Sequence, residues 1–200
     1  MKKVLLFLVV MALSSAGSAK DQVAKDQIAI FGGGCFWCVE ADFDKLNGVK
    51  ETISGYDGGQ TVNPTYQYVS SGKSHYVEVV KIVYDPKIVS YKQLLTYYWE
   101  HIDPTVMDAQ FCDKGAQYRS VIYYVNNEQK TSALASKRNV QKVFGNQKIY
   151  TEVLPSTTFY AAEGYHQNYY KINPYRYKYY RWSCGRDKIV EEVWYDKSIK

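Results

Sequence analysis

The sequence has no hydrophobic run long enough to cross a membrane, little net charge and no internal repeat. Its longest apolar stretch, residues 4–13, has ten residues, about half of the roughly 20 that a bilayer requires. The net charge is +5, and the +3 that is left without Lys2 and Lys3 is too small by itself to indicate a nucleic acid or a membrane surface as partner. With 46% hydrophobic and 22% charged residues, the composition also excludes a disordered, collagen-like or multi-span membrane chain.

The first 19 residues have the three parts of a secretory signal peptide. Two lysines precede the apolar run, and the small residues 14–19 follow it. We expect cleavage after Ala19, which leaves 181 residues of net charge +3 because two lysines are lost from a total of +5. The alternative is an uncleaved anchor. We therefore predict an exported protein, periplasmic or secreted, with a signal peptide over 1–19 and one domain over 20–200.

The chain has only four cysteines: Cys35, Cys38, Cys112 and Cys184. In an exported protein this number would normally indicate two structural disulfides, but a domain of this size can bury a sufficient core without them. Cys35 and Cys38 form a C-x-x-C pair, a spacing more typical of redox and metal sites than of structural bridges. The count alone leaves the pairing open.

Hydrophobic periodicity predicts strands that alternate with helices. Strands are expected over 27–31, 49–56, 76–84, 118–125 and 149–153, and helices over 35–46, from 90 to 98 or 101, and over 126–144. Ser90 and Gln93 form a capping box at the start of the second helix. The pattern favours an α+β fold, a two-layer α/β sandwich of ferredoxin-like type with a mixed sheet. A long irregular C-terminal tail is expected from Phe159 onward.

The segment Gly34-Cys35-Phe36-Trp37-Cys38 carries the strongest chemical signal. A strand, a glycine turn and a helix place Cys35 at a helix N-terminus, where the backbone N–H groups and the helix dipole favour a thiolate. Phe36 and Trp37 put a hydrophobic wall beside this sulfur. We interpret Cys35 as a nucleophile, with a buried pair or a stabilising disulfide as the alternative.

Glu78 lies in an otherwise apolar strand. Such a carboxylate either faces solvent or is kept neutral by burial, where it can act as an acid. The strand alone favours the solvent-facing interpretation. Asp113, Tyr118 and Tyr66, each taken alone, are interpreted as ordinary turn or core residues.

Taken together, these segments resemble the peptide methionine sulfoxide reductase A family. The resemblance covers about 27–194, and the blocks that carry it occur in order: Gly34-Cys35-Phe36-Trp37, Ser54-Gly55-Tyr56, Asn63-Pro64-Thr65-Tyr66, Glu78-Val79-Val80, Gln117-Tyr118-Arg119-Ser120 and Tyr165-His166-Gln167. It implies a thiol-dependent oxidoreductase, a peptide-methionine (S)-S-oxide reductase. Such an enzyme reduces the S-epimer of methionine sulfoxide, free or in proteins, and repairs proteins after oxidative stress.

The resemblance also implies a role for individual residues. These are Cys35 as nucleophile, Glu78 as acid, Tyr66 and Tyr118 as hydroxyls that bind the sulfoxide oxygen, Phe36 and Trp37 as walls for the S-methyl group, and Asp113 as a supporting residue. The residue types suit the chemistry, because a sulfoxide oxygen leaves only when it is protonated while a thiolate attacks the sulfur.

Attack on the substrate leaves a sulfenic acid, which a second thiol converts into a disulfide. Many family members have glycine at the position of Cys38 and a resolving cysteine in the tail, whereas this chain has both Cys38 and Cys184. Cys38, one helical turn from Cys35, is favoured as the resolving residue, with Cys184 second or as a relay. A role for Cys112 stays open.

The resemblance implies no bound cofactor or metal, and electrons from a thioredoxin-like dithiol protein. The expected partners are oxidised proteins or free methionine sulfoxide and this reductant, with no nucleic acid, no membrane after leader removal, and a monomeric state. Two other classes stay open: a thiol–disulfide exchange protein, and a metal module that uses the cysteines and His166, although zinc sites usually come as two cysteine pairs. The histidines have no mutual spacing that indicates a site.

Overall fold

A computed structural model describes residues 25–199 of the chain. The predicted signal peptide over 1–19 therefore lies outside the described residues. Within the described range, none of the helices combines the length and the apolar character that a membrane span requires.

Strands and helices alternate along the chain, as the periodicity predicts. The strands are β1 (Gln27–Gly32), β2 (Val49–Asp57), β3 (Val77–Tyr84), β4 (Ala109–Gln110), β5 (Asp113–Lys114), β6 (Val121–Tyr124), β7 (Glu152–Pro155) and β8 (Tyr160–Ala161). The helices are α1 (Phe36–Phe43), α2 (Tyr66–Ser70), α3 (Tyr91–Trp99), α4 (Asn127–Phe144), α5 (Tyr169–Ile172), α6 (Pro174–Ser183) and α7 (Arg186–Trp194). Short 3-10 turns occupy Ala116–Tyr118 and Gly164–His166.

One six-stranded sheet organises the molecule, in the order β7-β6-β1-β3-β2-β8. Its neighbouring strands are antiparallel except β6 and β7, which are parallel, so the predicted mixed sheet is confirmed. Gly32 at the end of β1 pairs with Val121 at the start of β6, and Val121 pairs with Glu152 at the start of β7. The segments that follow β1 and precede β3, β6 and β7 therefore meet at one end of the sheet, termed the site end below.

The two faces of β1 contribute to different apolar clusters, because successive side chains of a strand point to opposite faces. Ala29 and Phe31 belong to the main core between the sheet and the helices, where the Phe31 ring stacks on Tyr98 of α3 with centroids 4.8 Å apart. Ile30 points the other way, into a smaller cluster that includes Val121. The larger cluster accounts for most of the buried apolar surface, and it holds α1 and α3 against the site end.

The predicted capping box at the start of α3 is confirmed. The Ser90 hydroxyl accepts a hydrogen bond from the Gln93 N–H at 3.3 Å, and the Gln93 side chain accepts from the Ser90 N–H at 2.9 Å. Such a cap typically contributes about 1 kcal/mol. It fixes the start of a helix whose C-terminal half supplies the buried Tyr98 and Trp99.

The C-terminal region is more regular than the sequence indicated. The expected irregular tail contains α5, α6 and α7, and Pro174 opens α6 at a position where its missing N–H leaves no hydrogen bond unmade. Arg186 of α7 is buried, and it donates hydrogen bonds to the carbonyl oxygens of Gly33 and His101, each at 3.0 Å. These bonds tie the C-terminal helices to the turn that carries Cys35.

Candidate active site

A cavity of about 90 Å³ opens at the site end of the sheet. Its lining residues are Cys35, Phe36, Trp37, Tyr66, Glu78, Asp113, Tyr118 and Tyr180. All seven residues to which the resemblance assigned catalytic, supporting or substrate-binding roles are brought together here. Tyr180 is an eighth member that the sequence did not indicate.

Cys35 occupies the N-cap position of α1, directly after the glycine turn that ends β1. Gly34 has a positive φ of 86°, and a side chain there would crowd the Cβ atom of Gln110 at 2.8 Å. Only glycine meets both conditions without strain. The turn places Cys35 at the N-terminus of the helix, where it lines the cavity and is almost fully buried.

Burial raises the pKa of the Cys35 thiol well above its usual range, and the hydrogen bond and charge of Cys38 and the charges of Glu78 and Asp113 raise it further. The sequence predicted the opposite direction, because a helix N-terminus favours the thiolate. Loss of water, which is the largest effect, outweighs the helix dipole at this position. The resting nucleophile is therefore a neutral thiol.

Cys38 lies one turn along α1, with its N–H donating to the Cys35 carbonyl oxygen at 3.1 Å. The side-chain hydrogen bond from Cys35 lowers the pKa of Cys38, and the positive charges of Arg186 and Arg181 lower it further, against the effect of burial. Both thiols are buried, and neither is in a disulfide. Cys38 is thus the member of the pair that ionises more readily.

Glu78 points into the cavity from β3 and is only 1% exposed. The solvent-facing interpretation of this residue is wrong. Its Oε2 atom accepts a hydrogen bond from the Phe36 N–H at 3.2 Å. Burial raises the pKa of Glu78 to about 8, with the Phe36 bond opposing and the charges of Asp113 and Cys38 adding. The carboxyl group is therefore protonated at neutral pH and can donate a proton.

Two phenols line the cavity from different segments: Tyr66 begins α2 and Tyr118 ends the 3-10 turn before β6. The Tyr66 N–H donates to Glu163 at 2.8 Å, which fixes the start of its helix. Burial raises the pKa of Tyr66 to about 12, and burial also raises the pKa of Tyr118, with the charge of Glu78 adding in both cases. Both hydroxyls therefore remain neutral hydrogen-bond donors.

The aromatic walls are held by the C-terminal region. The Trp37 ring stacks on Tyr169 of α5 with centroids 3.8 Å apart, and its Nε1–H donates to His166 Nδ1 at 3.1 Å. Phe36 packs against the same histidine ring at 5.0 Å. His166 is buried, and burial lowers its pKa, so it accepts this bond as a neutral ring. His166 lies in one of the blocks that carry the family resemblance, but the sequence did not indicate this supporting role.

A hydrogen bond from the Tyr180 hydroxyl orients the carboxylate of Asp113. The Tyr180 hydroxyl lies 2.8 Å from both carboxylate oxygens. Burial raises the pKa of Asp113, while the bonds from Tyr180 and from the Cys35 N–H oppose that rise. Tyr180 could not be selected from sequence, because it is one of 21 tyrosines and its contact spans 67 residues.

Cys112 and Cys184 form a disulfide that joins the β4–β5 turn to the end of α6. This pairing was left open by the sequence. Cys184 is therefore not a free thiol in this structure, and Cys38 is the thiol beside Cys35. Cys112, Asp113 and Cys184 lie close enough together to resemble a metal-ligand set, but both sulfurs are committed to the disulfide.

Comparison with known sequences identifies the same family as the resemblance, over nearly all of the described residues. The family model for peptide methionine sulfoxide reductase matches residues 27–198. Peptide methionine sulfoxide reductase MsrA of Bacillus velezensis is 45% identical over 175 residues, which cover 86% of this chain and 98% of that protein. Peptide methionine sulfoxide reductase MsrA/MsrB of Vibrio cholerae is 46% identical over 171 residues, or 85% of this chain. The chain spans only 45% of the length of the Vibrio protein.

Solved structures agree with the sequence relatives. Reduced Mxr1 from Saccharomyces cerevisiae matches with a TM-score of 0.72 and 32% identity, covering 76% of this chain and 88% of that one. Mxr1 in complex with Trx2 matches with a TM-score of 0.53 and 22% identity, covering 76% and 91%, a likeness that shows the fold alone. The chain therefore belongs to the peptide methionine sulfoxide reductase family, and it is an oxidoreductase that reduces methionine sulfoxide.

Proposed function

We propose that the chain reduces the S-epimer of methionine sulfoxide, free or in oxidised proteins, with Cys35 as nucleophile and Glu78 as acid. One observation carries the assignment: a buried thiol, a protonated carboxyl group and two neutral phenols converge on a single small cavity. A disulfide-exchange protein needs the two thiols but has no use for the carboxyl group or the phenols. The cavity therefore favours the reductase over the exchange function.

The groups in the cavity account for the transferred oxygen and for each proton of the reaction. Cys35 attacks the sulfoxide sulfur, the oxygen passes to the cysteine as a sulfenic acid, and methionine leaves as the thioether. Glu78 protonates the oxygen, and the proton of the Cys35 thiol restores the acid. Tyr66 and Tyr118 polarise the S–O bond without adding charge.

The shape of the cavity supports selection of one epimer. Phe36 and Trp37 form an apolar wall that suits the S-methyl group, while the phenols and Glu78 occupy the polar side. With the methyl group and the oxygen fixed on these two sides, only one configuration at sulfur presents its free face to Cys35. The family resemblance identifies that configuration as the S-epimer.

Cys38 completes the first half-reaction in this proposal. Cys38 attacks the sulfenic sulfur of Cys35 as a thiolate, and the departing oxygen takes up the proton that Cys38 has lost, so a Cys35–Cys38 disulfide and one water are formed. The position of Cys38 one helical turn from Cys35 and its lowered pKa support it as the resolving residue. Cys184 is the second candidate and would act as a relay that accepts the disulfide from Cys38. It can do so only after its own bond to Cys112 has been reduced.

A thioredoxin-like dithiol protein returns the disulfide to two thiols in the second half-reaction, and no bound cofactor takes part. Mxr1, at 32% identity, is found in complex with Trx2 in another structure. A donor of this class supplies the two electrons that each methionine requires.

A single-turnover experiment tests the reductase proposal. Reduced protein, freed of reductant, is mixed with a peptide that contains the S-epimer, and methionine and tryptic disulfides are quantified together. We expect about one equivalent of methionine and a Cys35–Cys38 disulfide, with none from the R-epimer or from Cys35→Ser. Intact thiols and no methionine would instead support the disulfide-exchange protein.

We also propose that residues 1–19 export the protein and that 20–200 form one domain, which acts as a monomer. The basic, apolar and small-residue order of the leader supports export. The antiparallel order β6-β1-β3-β2, with α1 after β1 and α3 after β3, supports the ferredoxin-like class. Expression of the full chain in bacteria should yield periplasmic monomer that begins at Lys20; uncleaved protein in the cytoplasm would contradict export.

A further inference from the structure

A second and larger cavity, of about 500 Å³, lies at the site end of the sheet. Its walls include Ser120 before β6, Glu152 at the start of β7 and Ser74 before β3. Ala116 and Arg119 line it from the segment that carries Tyr118, whose side chain lines the reaction cavity. One short turn of chain therefore separates the two cavities.

The strand order gives the separation of the two cavities across the sheet. The reaction cavity lies beyond the end of β1, and the second cavity lies beyond the starts of β6 and β7, which are the next strands in order. Neighbouring strands are about 4.8 Å apart, so the strands that border the two cavities are separated by about 5–10 Å across the sheet. An extended peptide advances about 3.3 Å per residue. On a path across the strands at the site end, a substrate chain covers this separation in about three residues.

The lining of the second cavity carries a net charge of +1, with three cations against Asp108 and Glu152, and so favours an anion. Lys137 from α4 and Lys148 from the following loop border it, and Arg119 is already paired with Glu152 at 2.9 Å. Lys137 is partly buried, and burial lowers its pKa, with the charge of Glu152 opposing and the charge of Lys148 lowering it further. Two ammonium groups that repel each other are both stabilised by a negative group between them.

A buried hydroxyl in the same wall has no partner. Ser74 is 8% exposed, and its Oγ atom makes no hydrogen bond with any described residue. Val106, Met107 and Ile149 give the cavity an apolar side as well. The combination suits a side chain that has an apolar stem and an anionic end.

We propose that this cavity binds an aspartate or glutamate side chain of the oxidised protein, about three residues from the methionine sulfoxide. The inference rests on the proposed function and deepens it, because the cavity would select among oxidised methionines by their neighbouring sequence. Free methionine sulfoxide does not extend into it.

The test uses matched peptides in which glutamate or alanine lies three residues before or after the methionine S-sulfoxide, and N-acetylmethionine S-sulfoxide as the short substrate. The wild-type enzyme should show about fivefold higher kcat/KM for one glutamate peptide, through KM, consistent with a partly exposed ion pair. Lys137→Ala combined with Lys148→Ala should abolish this preference and leave the short substrate unaffected. Lys92→Ala, an exposed lysine on α3, is the matched control. Sodium chloride at high concentration should reduce the preference.

Equal kcat/KM for all peptides, or a preference that survives the double substitution, would overturn the proposal. Binding of the corresponding unoxidised glutamate peptide, measured by fluorescence anisotropy, separates this proposal from the reductase proposal. A protein that binds the glutamate peptide through the two lysines but reduces no sulfoxide keeps the binding site and loses the reductase function. Equal binding of inorganic phosphate and of the glutamate peptide would identify a general anion site, which also contradicts a substrate subsite.

Discussion

Replacement of Glu78 by glutamine tests the reasoning about the acid most directly. Glutamine keeps the shape of the side chain and can accept the Phe36 N–H bond, but it cannot donate a proton to the sulfoxide oxygen. Loss of a positioned general acid typically lowers the rate by about 10²–10⁴-fold. We therefore expect kcat to fall at least about 100-fold while KM changes by less than about threefold. The wild-type kcat should also fall above about pH 8, where Glu78 ionises.

The same substitution lowers activity but should raise the free energy of unfolding at high pH. Because the pKa of Glu78 is raised in the folded state, its contribution to stability is fully present below pH 4.5 and is lost as the pH rises to about 8. A difference of one in pKa corresponds to about 1.4 kcal/mol, so the rise from 4.5 to about 8 corresponds to on the order of 5 kcal/mol. Urea unfolding of both proteins at pH 5 and pH 8.5 isolates this contribution, because all other groups are shared.

The glutamine variant should gain several kcal/mol relative to the wild type between those two pH values. A kcat within tenfold of the wild type, or a stability difference that is independent of pH, would refute the assignment of Glu78 as a buried neutral acid.

Three further predictions concern other parts of the site and its frame. Cys38→Ser should still release about one equivalent of methionine in a single turnover but stop at a sulfenic acid, which a dimedone adduct detects by mass spectrometry; multiple turnover at the normal rate would show that another thiol resolves it. Tyr180→Phe removes the hydrogen bond to Asp113. One bond to a charged group contributes about 1.4 kcal/mol, so we expect kcat to fall by about 10-fold. An unchanged kcat would show that the bond has a structural role only. Gly55→Ala places a Cβ atom against the backbone oxygen of β8 and should lower the free energy of unfolding by about 1–3 kcal/mol in urea titrations, whereas Gly164→Ala, which meets no atom within 4 Å, serves as the control.

Much of the fold follows from local sequence signals. The Ser90–Gln93 box marks the start of α3 because both partners lie within four residues, and the β1–glycine–α1 unit is encoded in one continuous segment. The C-terminal helices were missed because α6 is amphipathic only weakly. Tyr175 and Tyr179 of α6 are 87% and 70% exposed, so tyrosines do not mark its buried face.

The site was predictable only as far as its residues could be matched to a family. A carboxylate in a strand has the same sequence pattern whether it faces solvent or a cavity, so the burial of Glu78 required the fold. The Cys112–Cys184 pairing spans 72 residues and the Tyr180–Asp113 bond spans 67. Contacts over such separations depend on how the C-terminal helices pack, which no local pattern records.

The protonated state of Cys35 has a consequence for how the protein survives its own working conditions. Methionine becomes oxidised where peroxides are abundant, and peroxides attack thiolates far faster than thiols. A nucleophile kept neutral behind Phe36 and Trp37 presents little thiolate to such oxidants in the absence of substrate. The burial that makes Cys35 a poor nucleophile at rest therefore also shields it from overoxidation, so that its reactivity is reserved for the sulfoxide that enters the cavity.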